Sequence, residues 1–368
     1  MVTLSDLPLR QSLKGQQPYG APQLTVPVAL NVNENTHGIP DEVKTEIVES
    51  LSKAVAQSNR YPDREFTELR ESLASYLSNT TGESLNPEQI WAANGSNEVL
   101  QHILQAFGGP GRSLLSFTPT YSMYPLLAGG TDTEWVPIPR LENYTLTPEY
   151  VAETLKKHNP AVAILCAPNN PTGTSQSLDV VKAAYDAFDG ILIVDEAYIE
   201  FEEEPVSAVS LLAGRHRLAV SRTMSKAFAF AGVRLGYLVA DPALIDALRL
   251  VRLPYHLSLL TQVAAVAALK NYPLMLQSVK SITQQRIRLA QALTDLGYTV
   301  NQSGANFLLV GGFADADSVF DSLLEQGILI RKFNIPGHLR ITAGTETETT
   351  AVIEAITNLT PNHSGQSN

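Results

Sequence analysis

Between residues 90 and 240 the chain repeats one theme: a short apolar, often β-branched run, then a cluster of Gly, Pro or Asn, then a stretch with helical periodicity. The apolar runs at residues 113–117, 161–166, 191–194, 218–220 and 233–239 are near-continuous rather than alternating, the pattern of strands covered on both faces. Strands that alternate with helices in this way predict an α/β domain with a mostly parallel central sheet. In open sheets of this kind ligands bind beyond the carboxyl ends of the strands, so the residues after each apolar run are the first place to look for chemistry.

Three consecutive predicted strand ends carry unusual polar residues: Pro168-Asn-Asn-Pro-Thr-Gly173, Asp195-Glu-Ala-Tyr198 and Ser225-Lys226, each about one strand-helix unit apart. Lys226 belongs to the run Ser221-Arg-Thr-Met-Ser-Lys-Ala-Phe-Ala-Phe-Ala-Gly-Val-Arg-Leu-Gly-Tyr237, which puts an amine, hydroxyls and Arg234 on one connection between strands. A loop lysine reaches into a cleft, and its amine becomes a Schiff-base nucleophile when desolvation or a neighbouring cation such as Arg234 lowers its pKa. Taken alone, the same residue also reads as an ordinary solvated lysine.

Asp195 follows Ile191-Leu-Ile-Val194 directly, so its carboxylate stands at the mouth of a buried strand, either capping a helix or facing a cationic partner. A protonated pyridine nitrogen is such a partner, and protonation is what makes the ring of pyridoxal phosphate an electron sink. Asn170 and Tyr198 offer hydrogen bonds suited to a ring phenolate oxygen. Tyr121, in Pro119-Thr-Tyr-Ser-Met-Tyr124, suits stacking on a ring face or plain packing. Asn94-Gly95-Ser96-Asn97 precedes a helical pattern, so backbone N–H groups and a hydroxyl gather at a helix start. That arrangement binds phosphate, and it serves simple N-capping equally well.

Residues 327–331 and 339–342 flank the turn signal Asn334-Ile-Pro-Gly337. A hairpin centred on Ile335 and Pro336 sets Arg331 opposite Arg340. Like charges across a ladder repel unless an anion lies between them, which makes a substrate phosphate or carboxylate the expected occupant. Two solvated edge arginines around an irregular turn are the alternative.

A chain of 368 residues has length for two domains. An arm at 1–35, rich in Pro, Gln and Gly, precedes a large domain at 36–259. Long helical patterns with short strand candidates then predict a smaller α/β domain at 260–368, ending in a polar tail from 361. The net charge of −11 argues against a broad nucleic-acid surface. Cys166 is the only cysteine, which fits a reducing compartment. The histidines show no metal-ligand spacing, so no metal is expected. No apolar run is long enough to span a bilayer and no signal-like segment opens the chain, so the expected location is the cytoplasm, away from membranes. No G-x-G-x-x-G follows a strand, against a nicotinamide dehydrogenase.

The Asn-Pro-Thr-Gly, Asp-Glu-Ala-Tyr and Ser-Lys…Arg-Leu-Gly-Tyr runs, in this order and spacing, resemble the fold-type I pyridoxal-phosphate aminotransferases. Leu30-Asn-Val-Asn-Glu-Asn35, Asn59-Arg-Tyr-Pro-Asp63, Val251-Arg-Leu-Pro-Tyr-His256 and Gly337-His-Leu-Arg-Ile-Thr342 narrow the resemblance to the histidinol-phosphate aminotransferases, over nearly the whole chain. The resemblance implies the fold-type I PLP-dependent transferase fold, with pyridoxal 5'-phosphate held on Lys226 as a Schiff base and Lys226 moving the proton between substrate and cofactor carbons. It implies that Asp195 pairs with the pyridinium, that Asn170 and Tyr198 contact the ring oxygen, and that Tyr121 stacks on the ring. Gly95, Ser96, Asn97, Ser225 and Arg234 would hold the cofactor phosphate, joined by Tyr61 from the neighbouring subunit of a homodimer. Arg331 and Arg340, with Tyr19 of the arm, would grip the substrate phosphate or the carboxylate of glutamate. The implied reaction exchanges an amino group between histidinol phosphate and 2-oxoglutarate. Aromatic-amino-acid aminotransferases and an amino-acid-phosphate decarboxylase share the scaffold and are the alternatives. One departure stands out: Thr36 follows the Asn-Glu-Asn run where the family usually has Pro.

Overall fold

The apolar runs assemble into one seven-stranded sheet in the computed structural model, which describes residue 3, residues 6–18 and residues 20–359. After β1 (Val28–Ala29) in the N-terminal segment come β2 (Ile90–Ala93), β3 (Ser113–Thr118), β4 (Glu134–Pro139), β5 (Val162–Cys166), β6 (Ile191–Asp195), β7 (Leu218–Thr223) and β8 (Gly236–Ala240). Their order is β2-β8-β7-β6-β5-β3-β4, and β8 alone runs antiparallel to its neighbours. β2, β5, β6, β7 and β8 are buried at every position, as expected of strands with helices on both faces. β8 begins at Gly236 rather than at 233 because Arg234 has φ +62, outside the extended region.

Register decides where the site lies. Cys166 of β5 pairs with Asp195 of β6, and Asp195 pairs with Ser221 of β7, so the carboxyl ends of three adjacent strands are nearly level. The segments that follow them open onto the same space.

The second sheet is antiparallel, in the order β12-β13-β10-β9, built from β9 (Thr299–Val300), β10 (Phe307–Gly311), β12 (Arg331–Lys332) and β13 (Leu339–Thr342). Between them in sequence, β11 (Ile328–Leu329) pairs in parallel with β1 and ties the N-terminal segment to this end of the molecule.

Two hydrophobic clusters match the two larger sheets. The larger surrounds the central sheet, and the smaller gathers Leu30, Leu308, Val310, Ile330, Ile341 and Val352 with their neighbours. Helix Leu259–Lys270 buries Ala264 to Leu269 in the larger cluster, although it opens the stretch that the sequence assigns to the smaller domain. The helix is apolar nearly all round, so its own pattern does not choose a side. Helix Gln277–Asp295 spans the two clusters, with Ile282 in one and Leu289 and Leu293 in the other. Near the chain start Arg10 reaches Asp132 and the Gly130 carbonyl, an exposed contact that anchors the arm on the large sheet's side. Among the described residues no single helix is long and apolar enough to cross a membrane.

Candidate active site

A cavity of about 110 Å³ lies where the three level strand ends meet. Ser96, Asn97, Tyr121, Asn170, Asp195, Tyr198, Ser225, Lys226, Arg234 and Arg340 line it, together with Val32, Asn33, Cys166, Ala197 and Thr223. An outer space of about 830 Å³, walled by Ala21 to Thr25, Asn31 and Glu34, shares Val32, Ser225, Lys226 and Arg234 with it. Lys226 therefore stands at the boundary between the two.

Lys226 leaves the β7–β8 connection, and its Nζ donates to the Val32 carbonyl at 2.8 Å. Burial, then the nearby Arg340 cation, push its pKa from 10.5 down to about 7, with Arg234 adding a smaller push and Glu34 opposing. The sequence credits Arg234 with this field; the fold brings the buried Arg340 to the same task. An amine with such a pKa is substantially unprotonated near neutral pH, which is the state that attacks a carbonyl carbon.

Asp195 is 2% exposed, and burial raises its carboxyl to about 6, while the Tyr124 hydroxyl and the nearby Ala197 N–H pull it back down. Tyr124 donates to Oδ2 at 2.8 Å, whereas Oδ1 accepts no hydrogen bond. A buried carboxylate oxygen left in this way is costly unless a ligand donor completes it. Behind it, burial lifts the Cys166 thiol to about 12, so the one cysteine is an inert packing residue.

Asn170 and Tyr198 belong to one network. Asn170 Nδ2 and Asn33 Nδ2 both donate to the Tyr198 hydroxyl, at 3.3 and 3.0 Å. Arg340 donates through Nη1 to Asn170 Oδ1 at 2.7 Å and through Nη2 to the Asn31 carbonyl at 2.6 Å. Residues 31 to 33 thus present successive carbonyls to Arg340, Lys226 and Asn306.

Helix Ser96–Phe107 starts at the cavity after Gly95, whose φ of +87 suits glycine, and no side chain caps its first turn. A Cβ on Gly95 would lie 2.6 Å from Arg234 Nη2, so the guanidinium rests directly against the helix start. Gly236 serves the same approach from β8: a Cβ there would meet the Ser96 N at 2.0 Å. Free N–H groups, Ser96, Ser225, Asn97 and a guanidinium together make an anion cradle.

Two expected residues, Arg331 and Tyr61, lie apart from this cavity, and a third falls outside the described residues. Arg331 pairs with Arg340 in the β12–β13 ladder, as the turn predicts, but does not line the cavity of this chain. Tyr61 is 80% exposed and stacks on Tyr255 at 4.4 Å. Tyr19 lies outside the described residues, as does the tail beyond 359. At the departure from the family pattern, Asn35 accepts from the His37 N–H and donates to the Ala227 carbonyl and Ser278, so side-chain bonds hold the turn around Thr36.

Reasoning from strand ends does not find Asn33 or Tyr124. Tyr124 follows Tyr121 by three residues near a helix start, a spacing that by itself means only packing. Asn33 carries only its place in the Leu30–Asn35 run.

The family described as aminotransferase class I and II matches residues 25–356. The histidinol-phosphate aminotransferase of Paenarthrobacter aurescens (strain TC1) is 56% identical over 357 residues, covering 96% of this chain and 95% of the relative. That of Mycolicibacterium smegmatis is 52% identical over 356 residues, covering 96% and 94%. Among solved structures, histidinol-phosphate aminotransferase from Sinorhizobium meliloti, in complex with pyridoxal-5'-phosphate, superposes with a TM-score of 0.85 at 22% identity, over 97% of this chain and all of that one. That likeness shows a shared fold, and the identity to the first two relatives carries the assignment further: the chain belongs to the class I and II aminotransferases, in the histidinol-phosphate aminotransferase group.

Proposed function

We propose that the cavity binds pyridoxal 5'-phosphate and that the chain is a histidinol-phosphate aminotransferase of histidine biosynthesis. It moves an amino group from histidinol phosphate to 2-oxoglutarate, giving imidazole acetol phosphate and glutamate, reversibly. The observation that carries the reading is the meeting of the Lys226 amine, held near neutrality, with the unfilled Asp195 Oδ1 in one cavity beside an anion cradle. Relatives of 50% identity and more, with the same name, support the choice of substrate.

The residues fit the cofactor at each of its ends. Asp195 Oδ1 suits a protonated ring nitrogen, Tyr121 a ring face, Asn170 and Tyr198 a ring oxygen, and Gly95, Ser96, Asn97, Ser225 and Arg234 a phosphate. Bound there, pyridoxal phosphate supplies an aldehyde carbon that condenses with amines and a protonated ring that draws electrons from the adjoining carbon. Lys226 would contribute the amine for that condensation and would hold and return the substrate proton at Nζ. Val32 orients the amine through its carbonyl. Asp195 keeps a proton on the ring, because an ionised carboxylate beside a pyridinium favours the charged form.

Arg340 would receive the anionic end of the substrate, supported by the pairing of Arg331 with it across the ladder, and Tyr19 would add a contact. Tyr61, on an exposed face with Tyr255, would reach the cradle of a second copy, so the working unit is a homodimer. The cytoplasm is the proposed location, and the partners are small molecules rather than nucleic acid or membrane.

The test is the visible absorption of the purified protein loaded with pyridoxal phosphate, before and after histidinol phosphate. Loss of the aldehyde band with that substrate but not with phenylalanine supports the reading. Borohydride trapping of the cofactor anywhere but Lys226 would sink it.

A further inference from the structure

The Tyr198 hydroxyl takes part in an arrangement that decides which way its hydrogen points. Two amide groups donate to it, Asn33 Nδ2 at 3.0 Å and Asn170 Nδ2 at 3.3 Å. Each amide is oriented from its far side. Asn170 Oδ1 accepts from Arg340, and a guanidinium offers no acceptor, so Asn170 must turn its NH2 toward Tyr198. Asn33 Oδ1 accepts the Thr342 hydroxyl at 2.9 Å while its Nδ2 faces Tyr198, an arrangement that holds as long as Thr342 acts as the donor. A phenolic oxygen that accepts on both sides keeps only its own hydrogen to offer, and Tyr198 lines the cavity.

Asn33 is held for this purpose by more than one bond. It is 1% exposed, sits at φ +57 in the left-handed region, and its carbonyl accepts from Asn306 Nδ2 at 3.2 Å. Non-glycine residues persist in that region where surrounding contacts over-determine them, and such residues cluster at functional sites. Thr342 and Arg340 are two residues apart on β13, so one strand anchors both amides.

We infer that Asn33 is a positioning residue for the reaction: with Asn170 it occupies the acceptor side of the Tyr198 hydroxyl and so fixes that hydroxyl as a donor into the cavity, toward an anionic oxygen. The inference rests on the pyridoxal phosphate reading, in which that oxygen is the ring phenolate. A donor there stabilises the ionised oxygen and lowers the pH at which the visible band of the bound cofactor changes.

The test is a pH titration of visible absorption on the pyridoxal phosphate-loaded enzyme, comparing wild type, Asn33→Gly, Tyr198→Phe, the double variant and Thr342→Val. Glycine keeps the positive φ while removing the amide, so a purely conformational role for residue 33 would leave the band unmoved. The expected result for Asn33→Gly is an apparent pKa raised by about one unit, the order of one charge-assisted hydrogen bond. In the Tyr198→Phe background the same substitution adds nothing, because it acts through the missing hydroxyl. Thr342→Val keeps the shape, frees the Asn33 amide to turn, and shifts the band the same way by less. An unmoved Asn33→Gly band, or an equal shift with and without Tyr198, overturns the inference. If Asn33→Gly does not fold, an unmoved Thr342→Val band overturns it instead. A wild-type protein with no pH-dependent visible band overturns the cofactor reading itself, which keeps the two failures distinct.

Discussion

Arg331 and Arg340 are direct partners across the antiparallel β12–β13 ladder, and the ring of Phe333 lies within reach of both, 5.8 Å and 5.1 Å from their guanidinium carbons. Opposed like charges repel, and an aromatic face offsets part of that repulsion while an anion would offset more. In the enzyme loaded with pyridoxal phosphate, which on the proposed reading fills the cradle, inorganic phosphate should raise the thermal midpoint. Arg331→Leu should abolish that rise without lowering the phosphate-free midpoint, and Phe333→Ala should destabilise the phosphate-free enzyme by about 1 kcal/mol. A phosphate response that survives Arg331→Leu would place the anion elsewhere.

Lys226 makes a pH prediction with a definite sign. Its pKa is lowered from 10.5 to about 7, first by burial and then by Arg340. The amine is protonated and unreactive below that pH and neutral above it. Labelling of Lys226 by a small amine-reactive reagent in the cofactor-free protein, followed by peptide mass spectrometry, should therefore reach half its maximal rate near pH 7. Arg340→Gln removes a cation that disfavours the ammonium form, so the midpoint should move upward. A wild-type midpoint near 10 would show that the amine is not held in this state.

How much of this site is readable from sequence depends on how local its cause is. The strand ends at Asn170, Asp195 and Lys226 are readable because each follows its own apolar run and because parallel pairing keeps adjacent strands level. The Arg331–Arg340 pairing is readable because the turn signal lies midway between them. Their depth is not readable: Arg340 is 4% exposed and lines the cavity, while its ladder partner does not. Asn33 escapes because its contacts span 165 residues to Tyr198 and 309 to Thr342, and no periodicity encodes a single left-handed residue. Tyr124 escapes because a buried tyrosine ordinarily means packing, and only the fold turns its hydroxyl onto Asp195.

Asp195 predicts a stability that depends on pH. Burial raises its carboxyl from 3.8 to about 6, so the folded state binds more protons than the unfolded chain between those values. The resulting stabilisation is complete below about pH 4 and is lost as pH rises through 6, leaving an ionised buried carboxylate above. In the cofactor-free protein Asp195→Asn should therefore gain up to about 3 kcal/mol at pH 8 in urea unfolding, and much less at pH 4. Tyr124→Phe should lose stability at pH 8, because the Tyr124 hydroxyl is what favours the ionised carboxylate. Both variants should retain pyridoxal phosphate less well. An Asp195→Asn protein no more stable than wild type at pH 8 would mean that the carboxylate is better solvated than its burial implies.

Two glycines at the anion cradle should fail in different ways. A Cβ on Gly236 would lie 2.0 Å from the Ser96 N and 2.3 Å from the Gly95 carbonyl carbon, both backbone atoms that cannot rotate aside. Gly236→Ala must push β8 away from the start of helix Ser96–Phe107, and overpacking of this kind costs about 1–3 kcal/mol. Gly95→Ala meets the movable end of Arg234 instead, together with a left-handed φ of +87. Its larger effect should fall on the cradle, because the displaced guanidinium no longer rests against the free N–H groups. Thermal midpoints without cofactor should drop more for Gly236→Ala. The dissociation constant for pyridoxal phosphate, normalised to folded protein, should rise about tenfold or more for Gly95→Ala, the size expected for one lost charge-assisted contact to a phosphate. If Gly236→Ala kept the wild-type midpoint and lost only cofactor affinity, the contact between β8 and the helix start would be serving the ligand rather than the packing of the sheet.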